Sequence, residues 1–510
     1  MTQRSSYSLL FIALLLTALL RLPVSGISIF NVDEAVSAVV AQEIAEGGLP
    51  YRDAIDHRGP LTYYAYALIF EICGDWNMVA VHWMYVLILG GIAGLLFGTS
   101  PKLGGIAAIL FVVFSWTHSP MDMWAAHTEW LLILGSSMAI MILCRWKLRS
   151  VPLLFAGIFL GMATLSKQVA VWDFAAVGGW LFWAQWQERM NWAIFLKQGI
   201  LVGVGFALPL IGMGMYFHTE GGWEDLLFYV WQYNVQYYLP EVSLLERIGS
   251  SMALLVSFFN DALLLTGLIC VGLMDAWSRR KVLTLQEKLL LCWFVGALLG
   301  GLTSGRNFGH YAIQWLPASC MIAAWGGQRL VRYMRDKDQR EGMMLMSGIL
   351  GIGLLLPIGH TLVKNKVYLE SAFHQDPQPA PYIREHSKPS DRLFVWGFAP
   401  EFYLYSQRRP ATRYVYCNVL TGLIPWENLS HSSTEYAVVP GTREQLLKDL
   451  RRHPPAFVLD TSPADYNSYG KYPIHQYPEL AKWLQAHYDR DSLFARQFPH
   501  AQFHLYRRHP

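Results

Sequence analysis

The sequence is short of charged residues. Only 15% of its 510 residues are Asp, Glu, Lys or Arg, whereas 53% are hydrophobic and 14% are aromatic. About a quarter of the residues in a soluble globular domain are charged, so the composition excludes an ordinary soluble protein. The net charge of +3 is too small to indicate nucleic-acid binding. The composition is typical of a membrane protein with several spans.

Paired cysteines, phosphate loops and internal repeats are also missing. The six cysteines form no CxxC pair, and most lie in apolar segments: Cys73, Cys144, Cys270, Cys292, Cys320 and Cys417. This pattern excludes a disulfide framework and a cysteine zinc site, and it is typical of small core residues. Without a glycine-rich phosphate loop, a soluble nucleotide is not an expected substrate. Without an internal repeat, a transporter with duplicated halves is not indicated.

Long apolar runs recur through the first 363 residues. Because about twenty apolar residues cross a bilayer as a helix, we predict eleven spans: 7–29, 76–98, 103–118, 126–144, 151–170, 171–187, 197–217, 250–275, 287–304, 309–328 and 343–363. The first run has a cleaved signal peptide as its alternative. Residues 23–26 lack a small-x-small cleavage pattern, which favours a retained helix.

Basic residues cluster in alternate loops between these spans. On the side of Arg4 lie Lys102, Arg145, Lys147, Arg149, Arg189, Lys197, Arg279, Arg280, Lys281, Arg329, Arg332, Arg335, Lys337 and Arg340. The loops on the other side are poor in Lys and Arg. The positive-inside rule therefore predicts a cytoplasmic N-terminus and, with an odd number of spans, an external segment from residue 364 onward.

Two regions outside the spans have a recognisable organisation. The first outer loop, residues 31–75, is predicted to hold interfacial helices at 33–46 and 60–72. From residue 364 the composition becomes soluble, with helical stretches at 400–407, 442–452 and 478–488 between strand-like runs at Leu393–Trp396, Tyr414–Cys417, Phe457–Leu459 and Phe503–Tyr506. We therefore predict a mainly α, polytopic membrane domain (1–363) followed by an extracytoplasmic α/β domain (364–510).

Rare polar residues converge on the outer side of the predicted membrane. They are Asp33, Glu34, His57 and Arg58 in the first outer loop, His127 and Glu129 at the fourth span, Lys167 and Gln168 at the fifth, and Arg306, His310 and Tyr311 at the tenth. A carboxylate is costly in hydrocarbon, so such a gathering indicates a functional site. Cations there suit a lipid phosphate, and a carboxylate suits proton removal from a hydroxyl. Both are needed for glycosyl transfer from a lipid-phosphate sugar.

Several of these residues have a structural alternative. Glu34 is suited to cap the helix that follows it, and His127 to pack as a hydrogen-bonded histidine. Lys167 and Arg306 are long enough to extend to outer headgroups. Asp122 and Asp173 are interpreted as ordinary residues at span boundaries.

Five short motifs resemble a known family. Asp33-Glu34 resembles an acidic motif, Arg58-Gly59-Pro60-Leu61 a Lys-Pro-Pro-Leu element, His127-Thr128-Glu129 an Asn-Thr-Glu, Leu165-Ser166-Lys167-Gln168 a Leu-Thr-Lys-Gln, and Gly309-His310-Tyr311 with Gln314 and Leu316-Pro317 a His-Tyr-Phe-x-Gln-x-x-Pro pattern. Together they resemble the bacterial protein O-mannosyltransferase and aminoarabinose transferase superfamily, in the GT-C class of membrane glycosyltransferases. The resemblance covers residues 10–330, and Gly59 departs from the family's proline.

The resemblance implies an inverting transfer from a polyprenyl- or dolichyl-phosphate sugar at the outer face of the inner (plasma) membrane. Asp33 matches the catalytic base, with Glu34 beside it, and Arg58 and Lys167 match phosphate-binding residues. His57, Gln168, His127, Glu129, Arg306, His310 and Tyr311 are expected near the substrates. The acceptor is a lipid, glycan or protein. A divalent metal is compatible with the class, but no ligand is assigned to one. The alternatives are a transporter or flippase of a polyprenyl-linked sugar and a non-catalytic membrane assembly subunit.

Overall fold

Helices dominate the chain. The computed structural model describes residues 3–100, 102–186, 190–238, 243–337, 339–366, 378–425 and 428–509, so the predicted inner-loop residue Arg189 lies outside the described part. In chain order the helices before residue 366 are α1 (Gln3–Arg21), α2 (Val32–Ala45), α3 (Pro60–Cys73), α4 (Met78–Thr99), α5 (Gly104–Thr117), α6 (Pro120–Trp124), α7 (Thr128–Trp146), α8 (Ser150–Ser166), α9 (Val171–Trp186), α10 (Trp192–Thr219), α11 (Trp223–Leu227), α12 (Leu244–Asp261), α13 (Leu263–Ser278), α14 (Leu285–Leu302), α15 (Ala312–Asp336) and α16 (Arg340–Lys364).

The C-terminal segment adds short helices and strands. They are α17 (Ala380–Glu385), β1 (Leu393–Trp396), α18 (Glu401–Ser406), α19 (Asn418–Thr421), α20 (Thr442–Arg452), β2 (Phe457–Asp460), α21 (Pro478–His487), β3 (Tyr488–Arg490), α22 (Ser492–Gln497) and β4 (His504–Arg508). The predicted fold class, a polytopic helical membrane protein with a small sheet, is confirmed.

Six of the described helices are long and apolar enough to cross a membrane: Tyr7–Val24, Met78–Thr99, Thr128–Trp146, Trp192–Thr219, Leu285–Leu302 and Glu341–Lys364. The bent pair α12 and α13 raises the number to seven, and α5 and α8 are shorter apolar helices. The predicted count of eleven is higher because α5, α8 and α9 have only 14, 17 and 16 residues. The predicted span at 309–328 corresponds to α15, which is long enough but too rich in polar residues to be one of the six apolar helices.

The predicted span at 250–275 is not one straight helix. The chain breaks at Ala262, and α12 and α13 meet at an angle of 103°. Before the break, Asn260 and Asp261 place two polar side chains where a straight span would need apolar ones. Asp261 instead accepts a hydrogen bond from the ring of His118, with a distance of 3.1 Å between Nδ1 and Oδ2.

Two compact units can be distinguished along the chain. The first comprises Met1–Phe30, Val81–Tyr216 and Ser243–Phe373, and the second comprises Asn31–Ala80, Phe217–Val242 and His374–Pro510. In the first unit α15 is the central helix, since every residue from Ala312 to Gly326 is buried. A Cβ at Gly326 would lie only 2.0 Å from the carbonyl oxygen of Leu268. Glycine therefore allows α15 and α13 to pack backbone to backbone, as small residues do in membranes.

The second unit contains a mixed four-stranded sheet in the order β1-β2-β4-β3. β1 and β2 are parallel, and β4 is antiparallel to both β2 and β3. The predicted strand at Tyr414–Cys417 is wrong, because Tyr414 makes a single bridge to Ile55 and no ladder follows. The amide of Ile55 donates to the carbonyl of Arg413 at 2.8 Å, so this segment binds the stretch between α2 and α3 instead of joining the sheet.

The helix α2 is enclosed within the second unit and does not lie on a surface as predicted. All residues from Glu34 to Glu43 are buried, and α2 packs against α3 and α18. Glu43 accepts two hydrogen bonds from Arg409, at 2.8 and 2.7 Å, in a bidentate pair. Its neighbour Glu46 accepts a third, at 3.0 Å. The helix is therefore fixed to the C-terminal segment by packing and by charge.

A buried carboxyl on α18 makes the stability of the second unit depend on pH. Burial raises the pKa of Glu401 to about 7, although Tyr466 donates a hydrogen bond to Oε1 at 2.6 Å. The folded chain then binds a proton that the unfolded chain releases above an ordinary pKa of 4.5. Stability should fall as the pH rises between these values, by up to about 3 kcal/mol.

We expect Glu401→Gln to remove most of this dependence and to stabilise the second unit at pH 8. The measurement is amide hydrogen exchange of residues 393–406 in the full-length protein between pH 5 and 8, corrected for intrinsic rates. Glu479→Gln is the control because that side chain is 72% exposed. If the corrected exchange rates of the parent and of Glu401→Gln changed equally with pH, the pH dependence would not come from Glu401.

Candidate functional site

The guanidinium of Arg58 binds two carboxylates of the second unit. Its Nη2 donates to Oδ1 of Asp33, and its Nη1 donates to Oδ2 of Asp56 at 2.8 Å. We call Asp33, Asp56, Arg58, Tyr63 and Tyr416 the arginine cluster. The structure thus brings together Asp33 and Arg58, which are 25 residues apart in the sequence.

Asp56 is the buried centre of the arginine cluster. It is 1% exposed and accepts hydrogen bonds from Arg58, from the Tyr63 hydroxyl and, at 2.6 Å, from the Tyr416 hydroxyl. Burial by itself would raise the pKa of Asp56, but the charge of Arg58 outweighs it and holds that pKa well below its usual range. His57 adds to the same effect, with Nδ1 3.2 Å from Oδ1 of Asp56. Asp56 therefore stays ionised and fixes the position of Arg58.

The backbone around Arg58 is also fixed. The Tyr51 hydroxyl donates to the carbonyl of Arg58 at 2.6 Å, and the Asn234 side chain donates to the carbonyl of His57 at 3.0 Å. Gly59 has φ −67° and ψ 147°, which is the conformation that proline prefers. A proline would fit this backbone conformation as Gly59 does, and Pro60 begins α3 at the first helical position, which proline favours.

The two acidic residues at the start of α2 have different surroundings. The Asn31 side chain accepts a hydrogen bond from the amide of Asp33 at 2.8 Å, so Asn31 is the N-cap and Glu34 is not. The Asp33 side chain is 21% exposed, whereas Glu34 is only 1% exposed. A ligand can reach the carboxylate of Asp33, while Glu34 is part of the buried core.

A second group of polar side chains lies in the first unit. The ring of His310 stacks on that of His127, with 4.4 Å between their centroids, and its Nδ1 lies 3.2 Å from Oδ1 of Asp122. Its Nε2 is 3.8 Å from Oε1 of Glu129, which also accepts a hydrogen bond from the ammonium of Lys167. We call Asp122, His127, Glu129, Lys167 and His310 the histidine–lysine cluster.

Helix ends place these side chains together. Glu129 is in the first turn of α7, and Lys167 follows the last residue of α8, where φ −153° ends the helix. His310 and Tyr311 belong to the 3-10 turn Gly309–Tyr311 before α15. The ammonium of Lys167 lies 4.1 Å from the centroid of the Tyr311 ring, a cation–π contact. Four predicted site residues and Tyr311 are thus neighbours within the first unit.

Asp122 was interpreted as a boundary residue, and that interpretation is wrong. It accepts a hydrogen bond from the Ser119 hydroxyl at 2.6 Å as well as binding His310. Burial by itself would raise the pKa of Asp122, but the hydrogen bond from His310 outweighs it and holds that pKa below its usual range. A Cβ at Gly309 would lie 2.4 Å from Oδ2 of Asp122, so only glycine leaves room for this carboxylate.

Arg21 at the end of α1 binds the backbone on both sides of the turn between α5 and α6, the helix that carries Asp122. The guanidinium of Arg21 donates to the carbonyls of Met123 and Ser115, at 3.0 and 2.9 Å. Two other predicted site residues lie in the first unit without a shown role. Gln168 begins a 3-10 turn after Lys167, and Arg306 is 3% exposed in the loop after α14. Their substrate contacts remain predictions.

The variant Asp56→Asn tests whether Asp56 positions Arg58 or takes a direct part in catalysis. The variant keeps the shape of the side chain but removes the charge that fixes Arg58. If Arg58 binds the donor phosphate, as the family resemblance implies, donor binding should weaken about tenfold or more. The readout is the KM for the lipid-linked sugar, with kcat lowered less. Asp53→Asn, in the same loop, is the control. An unchanged KM in a folded Asp56→Asn protein would contradict this role.

Comparisons with known proteins identify structures with a similar fold. No protein-family model and no curated protein matches the chain. Among solved structures, ArnT from Cupriavidus metallidurans bound to undecaprenyl phosphate is similar with a TM-score of 0.60 at 12% identity, over 93% of this chain and 96% of that one. The oligosaccharyltransferase AglB from Archaeoglobus fulgidus, in complex with an inhibitory peptide and a dolichol-phosphate, gives a TM-score of 0.53 at 12% identity, over 94% and 72%. The chain therefore has the fold of the GT-C glycosyltransferases, the class that contains the family its motifs resemble.

Proposed function

We propose that the protein is a membrane glycosyltransferase that moves a sugar from a polyprenyl phosphate to an acceptor hydroxyl. The observation that carries the proposal is the arginine cluster, where a partly exposed Asp33 lies against an Arg58 that a second, buried carboxylate fixes. Two structures of the same fold were solved with a polyprenyl or dolichyl phosphate, which supports a lipid-linked donor.

In the proposed reaction, Asp33 accepts the proton of the acceptor hydroxyl as its oxygen attacks the anomeric carbon. The bond between that carbon and the lipid phosphate breaks, and the electron pair leaves with the phosphate oxygen. One displacement inverts the configuration at the anomeric carbon. Arg58 suits the leaving phosphate because its planar fork donates several hydrogen bonds to oxyanions. Glu34 is buried and is assigned no chemical step.

The histidine–lysine cluster of the first unit is proposed to bind substrate. Lys167 is the main candidate for a phosphate contact, since its side chain is 19% exposed although its ammonium binds Glu129. His127 and His310 supply ring nitrogens, and Tyr311 an aromatic face. The proposed orientation has the N-terminus in the cytoplasm of a bacterial cell and the segment from residue 364 onward outside the inner membrane. A sugar linked to a lipid can be transferred there without a soluble nucleotide.

The test combines genetics with a purified assay. Lipids, glycans and glycoproteins of a deletion strain and its parent are compared by mass spectrometry, and the purified protein is then given the lipid-linked sugar and the acceptor that changed. A new glycosidic bond in that assay supports the proposal. Movement of the lipid-linked sugar across vesicles without bond formation would show a flippase instead. Complementation by an Asp33→Ala, Glu34→Ala double variant would show an assembly subunit.

A further inference from the structure

A basic cavity opens at one end of the sheet in the second unit, away from every residue assigned above. It has a volume of about 490 Å³ and is lined by Arg392, Arg452, Arg507, Arg508, His386 and His453. Asp391 is the acidic residue among the lining side chains. Its Oδ2 accepts a hydrogen bond from the amide of Lys388 at 2.8 Å, so it is engaged in a turn.

The basic residues come from different elements that the sheet holds together. Arg392 precedes β1, Arg452 ends α20, and Arg507 and Arg508 end β4. The amide of Ala456 donates to the carbonyl of Arg392 at 2.8 Å, and the amide of Arg508 donates to the carbonyl of Ala456 at 3.2 Å. The backbone at the base of the cavity is therefore fixed.

Two of the four arginines are held in place by other groups of the protein, and the other two are available to bind a ligand. Arg392 donates to the carbonyl of Pro410 at 2.6 Å, and Arg507 lies 3.1 Å from Oδ2 of Asp491 with its guanidinium over the ring of Phe457. Within the described residues, no acidic side chain pairs with Arg452 or Arg508. Arg392 also lies 3.9 Å from Oε1 of Glu43. The charges of Arg452 and Arg508 therefore remain to be balanced at the cavity, and a bound anion would balance them.

The preference of helix ends for basic side chains explains only one of the four arginines in the cavity. Basic side chains favour the C-terminal end of a helix, which accounts for Arg452 in the last turn of α20. It does not account for the three arginines on strand ends. The pKa of His453 is lowered first by burial and then by the charges of Arg392 and Arg452, which outweigh the opposite effect of Asp449 and Glu43.

We propose that this cavity binds phosphate groups, with Arg452 and Arg508 as the direct ligands. Guanidinium forks match phosphate oxygens, and the volume leaves room for the group that carries the phosphate. The phosphate belongs either to a soluble phosphorylated molecule or to a lipid headgroup. The proposal is independent of the proposed glycosyl transfer, because it concerns other residues and a binding event without turnover.

Hydrogen exchange of the full-length protein in nanodiscs of neutral lipid tests the proposal with inorganic diphosphate as the probe. We expect slower exchange at residues 386–392, 452–457 and 505–508, at an ionic strength matched with sodium chloride. In an Arg452→Gln, Arg508→Gln double variant the diphosphate concentration for half protection should rise at least about tenfold. The matched control is Arg451→Gln, Arg490→Gln, which removes two exposed arginines outside the cavity.

A second set of nanodiscs containing phosphatidylglycerol distinguishes the two sources. Protection without diphosphate in these nanodiscs identifies a lipid headgroup, and protection by diphosphate only identifies a soluble phosphate. Either result supports the site if the double variant loses it and the control keeps it. No protection with either probe, or equal protection in the double variant, would overturn the proposal. Peptides containing Arg58 and Lys167 report separately on the proposed donor phosphate, so the two proposals fail independently.

Discussion

Asp33→Asn is expected to lower the rate of sugar transfer by about 10²- to 10⁴-fold, the usual contribution of a general base. Asparagine has nearly the same shape but cannot take the acceptor proton. The fold should survive, because the Asn31 cap bonds to the backbone amide of residue 33. Arg58 also keeps its hydrogen bond to Asp56. The loss should therefore appear in kcat, with the donor KM changed less.

The measurement is a transfer assay on purified protein, with thermal unfolding as the check on folding. Asp53→Asn is the matched control, since Asp53 lies in the same loop and binds Arg52 instead of Arg58. It should retain the parent rate. A rate within about threefold of the parent for a folded Asp33→Asn protein would remove Asp33 from the role of base, because a base of this kind contributes at least about a hundredfold.

Local signals in the sequence predicted much of the structure of residues 31–75. Helices at 33–46 and 60–72 were predicted, and the structure has them at Val32–Ala45 and Pro60–Cys73. Capping and proline at the first position are short-range effects, so a single sequence contains them. The burial of α2 was not predictable in the same way. Its enclosure depends on α18 and Arg409, which lie more than 350 residues further along the chain.

The partners of the candidate residues were harder to predict than the residues themselves. Asp33, Arg58, His127, Glu129, Lys167 and His310 were singled out because charged residues are rare near a membrane. Asp56 and Asp122 were not, although each joins one of the two clusters. Besides near neighbours in the sequence, Asp56 binds Tyr416, which is 360 residues away, and Asp122 binds His310, which is 188 residues away. Such contacts come from tertiary packing, for which no periodicity or spacing gives a signal.

The strand predicted at Tyr414–Cys417 is absent and the span predicted at 250–275 is bent, for a related reason. Both segments have the right composition for the predicted element. Tyr414 uses its backbone to bind Ile55 in the segment between α2 and α3, and Asp261, next to the bend, binds His118. In both cases a distant partner overrides the local preference, as tertiary context does.

Lys167→Met is expected to abolish transfer and also to destabilise the first unit by about 3–5 kcal/mol, because it leaves the carboxylate of Glu129 buried without its partner. Glu129 is 1% exposed and would keep only the Thr128 hydroxyl at 2.9 Å and the more distant ring of His310. Loss of activity in this single variant would not by itself distinguish phosphate binding from loss of fold.

The double variant Lys167→Met, Glu129→Gln separates the two effects. Removing the second charge of the pair should restore most of the stability, since replacing a whole buried ion pair costs far less than removing one partner. If Lys167 binds the donor phosphate, transfer stays at the level of the single variant although the protein unfolds near the parent temperature. If transfer returns with stability, Lys167 serves only to neutralise Glu129, and the phosphate role belongs to Arg58 alone. Binding of polyprenyl phosphate to both variants, measured beside thermal unfolding, gives the answer without turnover.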